Sequence, residues 1–151
     1  MDKPIVNKRR MLSLALGIGA VVMMTGCADV RAAKPDPLRS EVQQLVAGLE
    51  RGLRAGGWSA VERYYSEDFR GNTSDLQDHF DDRRRNERSA DWMLTINRIL
   101  SQDKLINVAV RWNHRWTDAK GLPHKSDGVS ELILRREAGE LRIVQQSGAG
   151  F

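Results

Sequence analysis

Residues 106–116 read Ile106-Asn107-Val108-Ala109-Val110-Arg111-Trp112-Asn113-His114-Arg115-Trp116. Ile106, Val108, Val110, Trp112, His114 and Trp116 fall on every second position, while Asn107, Arg111, Asn113 and Arg115 lie between them. A period of two puts the first set on one face of a strand, because successive side chains point to opposite sides. β-branched and aromatic residues dominate that face, as a half-buried sheet surface favours. The period extends upstream through Trp92, Leu94, Ile96 and Leu100, with a turn at Gln102-Asp103. Downstream, a turn over residues 118–121 leads to a third strand over 129–136, with Leu132 and Leu134 on one side. A turn containing Gly139 leads to a fourth strand over 141–146. Strands in sequence with short turns between them predict an antiparallel meander.

Before residue 92 the period is helical. Leu38, Val42, Leu45, Val46, Leu49 and Leu53 recur at three- and four-residue steps and form one apolar face. Asp36 can cap this helix with Pro37 at its first position, and Ser40 with Gln43 offers a second capping pair. Gly56-Gly57 ends it. Trp58, Val61 and Tyr65 predict a short second helix ending near Ser66, and Ser74 with Gln77 opens a third, polar one. Helices followed by a meander give an α+β domain, with N-terminal helices packed on one face of the sheet.

That order resembles the nuclear transport factor 2-like (SnoaL-like) fold. The resemblance rests on the amphipathic helix, the Gly break, Tyr64-Tyr65-Ser66-Glu67-Asp68-Phe69, a third helix and long hairpins. Gly139-Glu140-Leu141-Arg142-Ile143-Val144-Gln145 looks like that fold's last strand. The likeness covers residues 38–146, and residues 38–151 are taken as the domain. Two features depart from it: Trp58 stands where a polar residue is usual, and the third helix is unusually charged. The resemblance implies a curved sheet closed by helices into a cone with a central pocket. It implies no single activity, since dehydratases, isomerases, epoxide hydrolases and binding modules share the fold.

The formal charge is +4 over 151 residues. Lys3, Lys8, Arg9 and Arg10 against Asp2 supply three of those four charges within the first ten residues. The rest is near neutral, so the phosphate neutralisation that nucleic acid demands is missing, and no nucleic-acid partner is expected. After Lys8-Arg9-Arg10 comes an uncharged run, Met11 to Met24, of 14 residues. A spanning helix needs about 18–20. A positive segment, a short apolar run and then small residues describe a secretory signal. Met24-Thr25-Gly26-Cys27 resembles the lipobox of bacterial lipoproteins, with Met24 where Leu is usual. In that family the signal is cut just before the cysteine, and the cysteine is lipidated on sulfur and acylated at its new amino terminus. The resemblance makes residues 1–26 a signal peptide and Cys27, the chain's one cysteine, the lipidation site. Residues 27–37 then form a polar, Pro-closed tether, which at full extension keeps the domain within about 35 Å of the membrane. By resemblance to enterobacterial sorting, Ala28 rather than Asp after the cysteine points to the outer membrane, periplasmic face, while Asp29 one place later leaves the inner membrane open.

The domain's chemistry centres on His114. If the hairpin turns on Lys120-Gly121, His114 faces Asp127, and a carboxylate beside a histidine suits a general base. If the turn is Asp118 to Gly121, His114 faces Lys125 and the pair disappears. A histidine hydrogen-bonded within the sheet is the other reading. Trp112, His114, Trp116 and Tyr65 are the candidate ligand-binding residues, and the tryptophans also suit a core or a dimer interface. Residues 81–88 read Asp-Asp-Arg-Arg-Arg-Asn-Glu-Arg, with Asp81–Arg85 and Arg83–Glu87 at four-residue spacing, a self-compensating solvated helix face. His79, His114 and His124 lack close metal-ligand spacing, and no P-loop, dinucleotide glycine motif or HExxH is present, so no metal or cofactor is expected. Gly148-Ala149-Gly150 before Phe151 reads as a loose end, with fraying the default and docking of Phe151 on the body the other reading.

The leading expectation is a lipid-anchored periplasmic binding or adaptor domain. It would hold a small apolar ligand or a protein partner at the envelope, with a homodimer implied by the resemblance. The alternative is a small pocket enzyme (dehydratase, isomerase or hydrolase) with His114 as base and Asp127 as its orienter. The third is a structural subunit of an envelope assembly.

Overall fold

The structure, a computed structural model, describes residues 36–151. The signal-like stretch, Cys27 and most of the tether lie outside the described residues.

Helix α1 (Pro37–Ala55) is capped by Asp36, whose carboxylate accepts the Leu38 N–H at 3.0 Å, with Pro37 at the first position. Val42, Leu45, Val46, Leu49 and Leu53 are buried along one face. Gly56 ends the helix with a φ of 75°. Gly52 permits a close approach: a Cβ there would lie 2.6 Å from the Ala60 carbonyl oxygen.

The expected second helix is instead two single 3-10 turns, Trp58–Ala60 and Glu62–Tyr64. The chain leaves helical geometry because it bonds to the sheet. Tyr65 bridges Ile143 in parallel, Ser66 N–H donates to the Ile143 carbonyl at 2.9 Å, and Arg70 N–H to that of Val144 at 2.7 Å. Helix α2 (Thr73–Asn86) starts at Asn72, not Ser74. The Asn72 side-chain oxygen accepts from the Ser74 and Asp75 N–H groups at 3.1 and 3.5 Å.

Strands β1 (Arg88–Gln102), β2 (Leu105–Thr117), β3 (Pro123–Glu137) and β4 (Glu140–Gly148) form one antiparallel sheet in that order. Irregularities between Ile96 and Arg98 and between Ile133 and Leu134 bend the strands. The result is an α+β fold, with helices on the inner face of a curved four-stranded sheet. Val42, Leu49, Val108, Leu132, Leu134 and Ile143 are shut from solvent in the core between them.

The β2–β3 register differs from both sequence alternatives. Thr117 pairs with Pro123, so five residues form the loop. Asp118 holds that loop through its carboxylate, which accepts the Lys120 and Leu122 N–H groups at 2.8 and 2.9 Å. His114 therefore faces Ser126, while Asp127 faces Asn113 on the opposite side of the sheet. The expected His114–Asp127 pair does not form.

Residues 148–151 are also unlike the frayed end expected. Gly148, at φ 85°, turns the chain inward, and Ala149 N–H donates to the Val129 carbonyl at 3.0 Å. Phe151 lies in the core, only 2% exposed.

Candidate functional site

The inner face of β2 carries a column of stacked rings. His114 lies flat between Trp92, on β1, and Trp116. Its centroid distances are 4.0 and 4.3 Å and its interplanar angles 10° and 14°. His124, at the start of β3, extends the stack beyond Trp116 at 5.3 Å and donates toward Asp118, 3.1 Å away. Trp112 tilts against Trp92 at 5.7 Å. The two-residue period thus brings Trp112, His114 and Trp116 together with Trp92.

His114 is wholly buried, and α2 completes its surroundings. Arg83 Nη2 donates to His114 Nδ1 at 2.7 Å, and Glu87 Oε2 lies 3.1 Å from Nε2. Arg83 Nε also pairs with Glu87 at 3.1 Å, and its guanidinium stacks on Trp92 with Cζ 4.5 Å from the ring centroid. A guanidinium only donates, so Nδ1 must be bare and the imidazole proton sits on Nε2, toward Glu87. The Nε2 contact with Glu87 is close, but it is not a well-aligned hydrogen bond. Burial pushes the Glu87 carboxyl up, but the nearby N–H groups of His114 and Arg83 and the Arg83 charge outweigh it and hold the group below the usual range.

Arg83 and Glu87 are functional candidates that the sequence reading placed on a solvated face. The pair itself forms as the spacing predicts, but its side chains are only 18% and 13% exposed. Asp81 does not pair with Arg85: it accepts the Trp58 N–H at 3.0 Å, and Arg85 bonds Asp82. The missed signal was Phe80, which shares the inward side of α2 with Arg83 and Glu87 at helical spacing.

Tyr65 is not part of this cluster. It packs on Trp58 at 5.3 Å and Phe69 at 5.2 Å, and its hydroxyl donates to Gln146 at 2.9 Å. Burial pushes its phenol well above the ordinary value. Trp112 is buried too, and its Nε1–H donates to the Ala149 carbonyl at 3.2 Å.

A cavity of about 140 Å³ opens beside the column, between the end of α1, α2 and β1, with Arg54, Arg83, Glu87 and Trp92 in its wall. A larger recess of about 680 Å³ runs past Trp58, Tyr65, Ser66 and Glu137 and has no contribution from His114. Among the described residues no three His, Cys, Asp or Glu side chains gather as a metal ion would require. As arranged, His114 has its one lone pair on Arg83 and its one proton facing Glu87. The cluster fixes an internal charge pair and leaves the imidazole no unengaged nitrogen for a substrate.

No protein-family model matches the chain, and no curated protein sequence does. Solved structures share its fold. An NTF-2-like protein of unknown function from Shewanella oneidensis matches with a TM-score of 0.60 at 17% identity, covering 75% of this chain and 99% of that one. A putative aromatic ring hydroxylase from Novosphingobium aromaticivorans matches with a TM-score of 0.62 at 13% identity, covering 74% and 92%. A hexachlorocyclohexane dehydrochlorinase matches with a TM-score of 0.60 at 12% identity, covering 74% and 84%. At such identities the likeness is one of fold. The domain has the fold of a nuclear transport factor 2-like cone.

Proposed function

We propose that this cone is a binding or adaptor domain, held by a lipidated Cys27 at the periplasmic face of a bacterial envelope. The observation that carries the reading is the filled interior. Trp92, Trp112, His114 and Phe151 occupy the space between the sheet and the helices. A pocket enzyme needs that space open to a substrate. The outer face of the sheet instead presents Met93 at 57% exposure and Val129 at 41%, with Leu100 and Leu105 at the far end of β1 and β2. Exposed apolar side chains gathered on one sheet face fit a protein partner, whether an envelope protein or a second copy of the chain. Cys27→Ala is expected to release the folded domain from the membrane fraction; a variant still pelleting with membranes overturns the anchor. Photocrosslinking in cells from position 93, compared with exposed position 120, tests the face. A specific adduct at 93 alone supports the reading, and equal or absent labelling overturns it.

A small-pocket enzyme is the second reading, and one contact favours it: His114 has a carboxylate 3.1 Å away. Glu87, not Asp127, would be the orienter, and both Arg83 and the residues filling the cone would have to move. The same fold in a dehydrochlorinase and a putative hydroxylase keeps this reading worth testing. Turnover of a halogenated or hydroxylated ring compound that is lost in His114→Gln but kept in Asp127→Asn would establish it.

A further inference from the structure

Residues 149–151 behave less like a chain end than like a molecule seated in the cone. The Phe151 ring meets Trp92 edge-on at 6.4 Å and lies 2% exposed among core side chains. Its carbonyl oxygen accepts from His79 Nε2 at 2.9 Å. One residue pair back, the Ala149 carbonyl accepts from both Trp112 Nε1 and Ser130 Oγ. Three side-chain donors, from α2, β2 and β3, therefore converge on two oxygens of this short segment. Trp112 and Ser130 are buried with the segment in place, so each donates to it and not to water.

The seat is built for an occupant. A Cβ on Gly128 would lie 2.7 Å from both the Ala149 Cβ and the Trp112 ring, so glycine there makes the room. A Cβ on Gly148 would lie 2.7 Å from the Val129 carbonyl oxygen, and its positive φ directs the chain into the seat. The segment's own backbone adds little to its fastening. It has one backbone bond, Ala149 N–H to Val129, and two glycines within four residues. Ordering such a stretch is costly in conformational entropy. Side-chain donors that meet an internal acceptor held by one backbone bond describe a site whose resident can be exchanged.

We propose that the seat of Ala149–Phe151 is a ligand site for an aromatic ring bearing an adjoining carbonyl or carboxylate, and that the segment is its resident competitor. This rests on the binding reading of the domain and names the class of ligand. The ring replaces Phe151 against Trp92, and the oxygens replace the Ala149 carbonyl on Trp112 and Ser130. A purely aliphatic ligand fails on the first count and a plain hydrocarbon ring on the second, because it leaves two buried donors unpaired.

The probe is 3-phenylpropanoate, with hexanoate as control, on the full chain and on Phe151→Ala. The variant is expected to melt about 10 °C lower, as loss of a buried ring predicts. Saturating 3-phenylpropanoate is expected to recover most of that loss, and hexanoate little. The unaltered chain is expected to bind the probe at least about tenfold more weakly than the variant, since apparent affinity falls with the fraction of open seat. A folded variant that gains nothing from 3-phenylpropanoate overturns the proposal. If the variant does not fold, amide NMR of the unaltered chain decides. Movement of the Ala149, Gly150 and Phe151 signals to unstructured positions under the probe supports exchange, and unmoved signals at saturation overturn it. None of these readings touches the anchor or the outer face, so failure here is distinct from failure of the adaptor reading.

Discussion

Glu87 ties helix to sheet through charge. Its folded carboxyl titrates below the unfolded value, because Arg83 and His114 favour the ionised form more than burial opposes it. The unfolded chain therefore takes up a proton at higher pH than the folded one does. The stabilisation is complete above the ordinary carboxylate pKa of about 4.3 and is lost as pH falls through the lower folded value. Thermal melts from neutral pH to about pH 3 should show a decline that Glu87→Gln reduces. At neutral pH that variant should lose roughly 1–3 kcal/mol, since Arg83 keeps a half-buried charge without its carboxylate. Asp127→Asn, on the outer face, should leave both curves unchanged. Much at this scale was legible in advance: the alternation around His114 announced the ring cluster. The carboxylate was not, because a one-residue difference in a hairpin loop exchanges the whole facing set, and the Asp118 bonds that choose the loop depend on three-dimensional closure.

Among the elements, α1 and the meander followed directly from their periods, because burial on one face imposes a pattern that survives in sequence. The second helix failed for the opposite reason. Its hydrogen bonds go to β4, a partner about 80 residues away that no local pattern reveals. Gly52 shows how closely α1 meets that segment. By helix propensity alone, alanine there would stabilise by up to about 1 kcal/mol. The contact with the Ala60 carbonyl reverses the sign, because a backbone atom cannot swing aside. Gly52→Ala should cost about 1–3 kcal/mol in denaturant melts, as overpacking does. Gly48→Ala meets the end of the Tyr64 side chain, which can rotate, and should cost less.

Across the whole molecule, the sheet has two unlike faces. The inner face is filled with rings and closed by residues 148–151. The outer face mixes exposed Met93 and Val129 with charged neighbours such as the Arg98–Glu131 pair at 3.3 Å. If that face joins two copies of the chain, association should weaken on replacing its apolar residues while the fold persists. Val129→Glu should lower the dimer fraction in sedimentation with little change in melting temperature. A monomer at every concentration in the unaltered chain would leave an envelope protein as the partner. The cone was legible from element order, but its occupancy was not. Gly148-Ala149-Gly150 carries no burial pattern, and only the geometry shows that Phe151 completes the core.

The stacked column has an optical consequence. Trp92 and Trp112, 5.7 Å apart and tilted by 51°, hold their indole transitions in a fixed chiral relation, which should give a split circular-dichroism band in the far ultraviolet. Trp116 lies face to face with two imidazoles, and Trp92 beneath a guanidinium, where excited-state quenching is expected. Trp112, 5.7 Å from Trp92, passes its excitation to that quenched ring, so emission should come mainly from Trp58, which sits outside the column. The four indoles thus divide into a dichroic gauge of the ring cluster and a fluorescent gauge of the 3-10 turns, readable at once without any label.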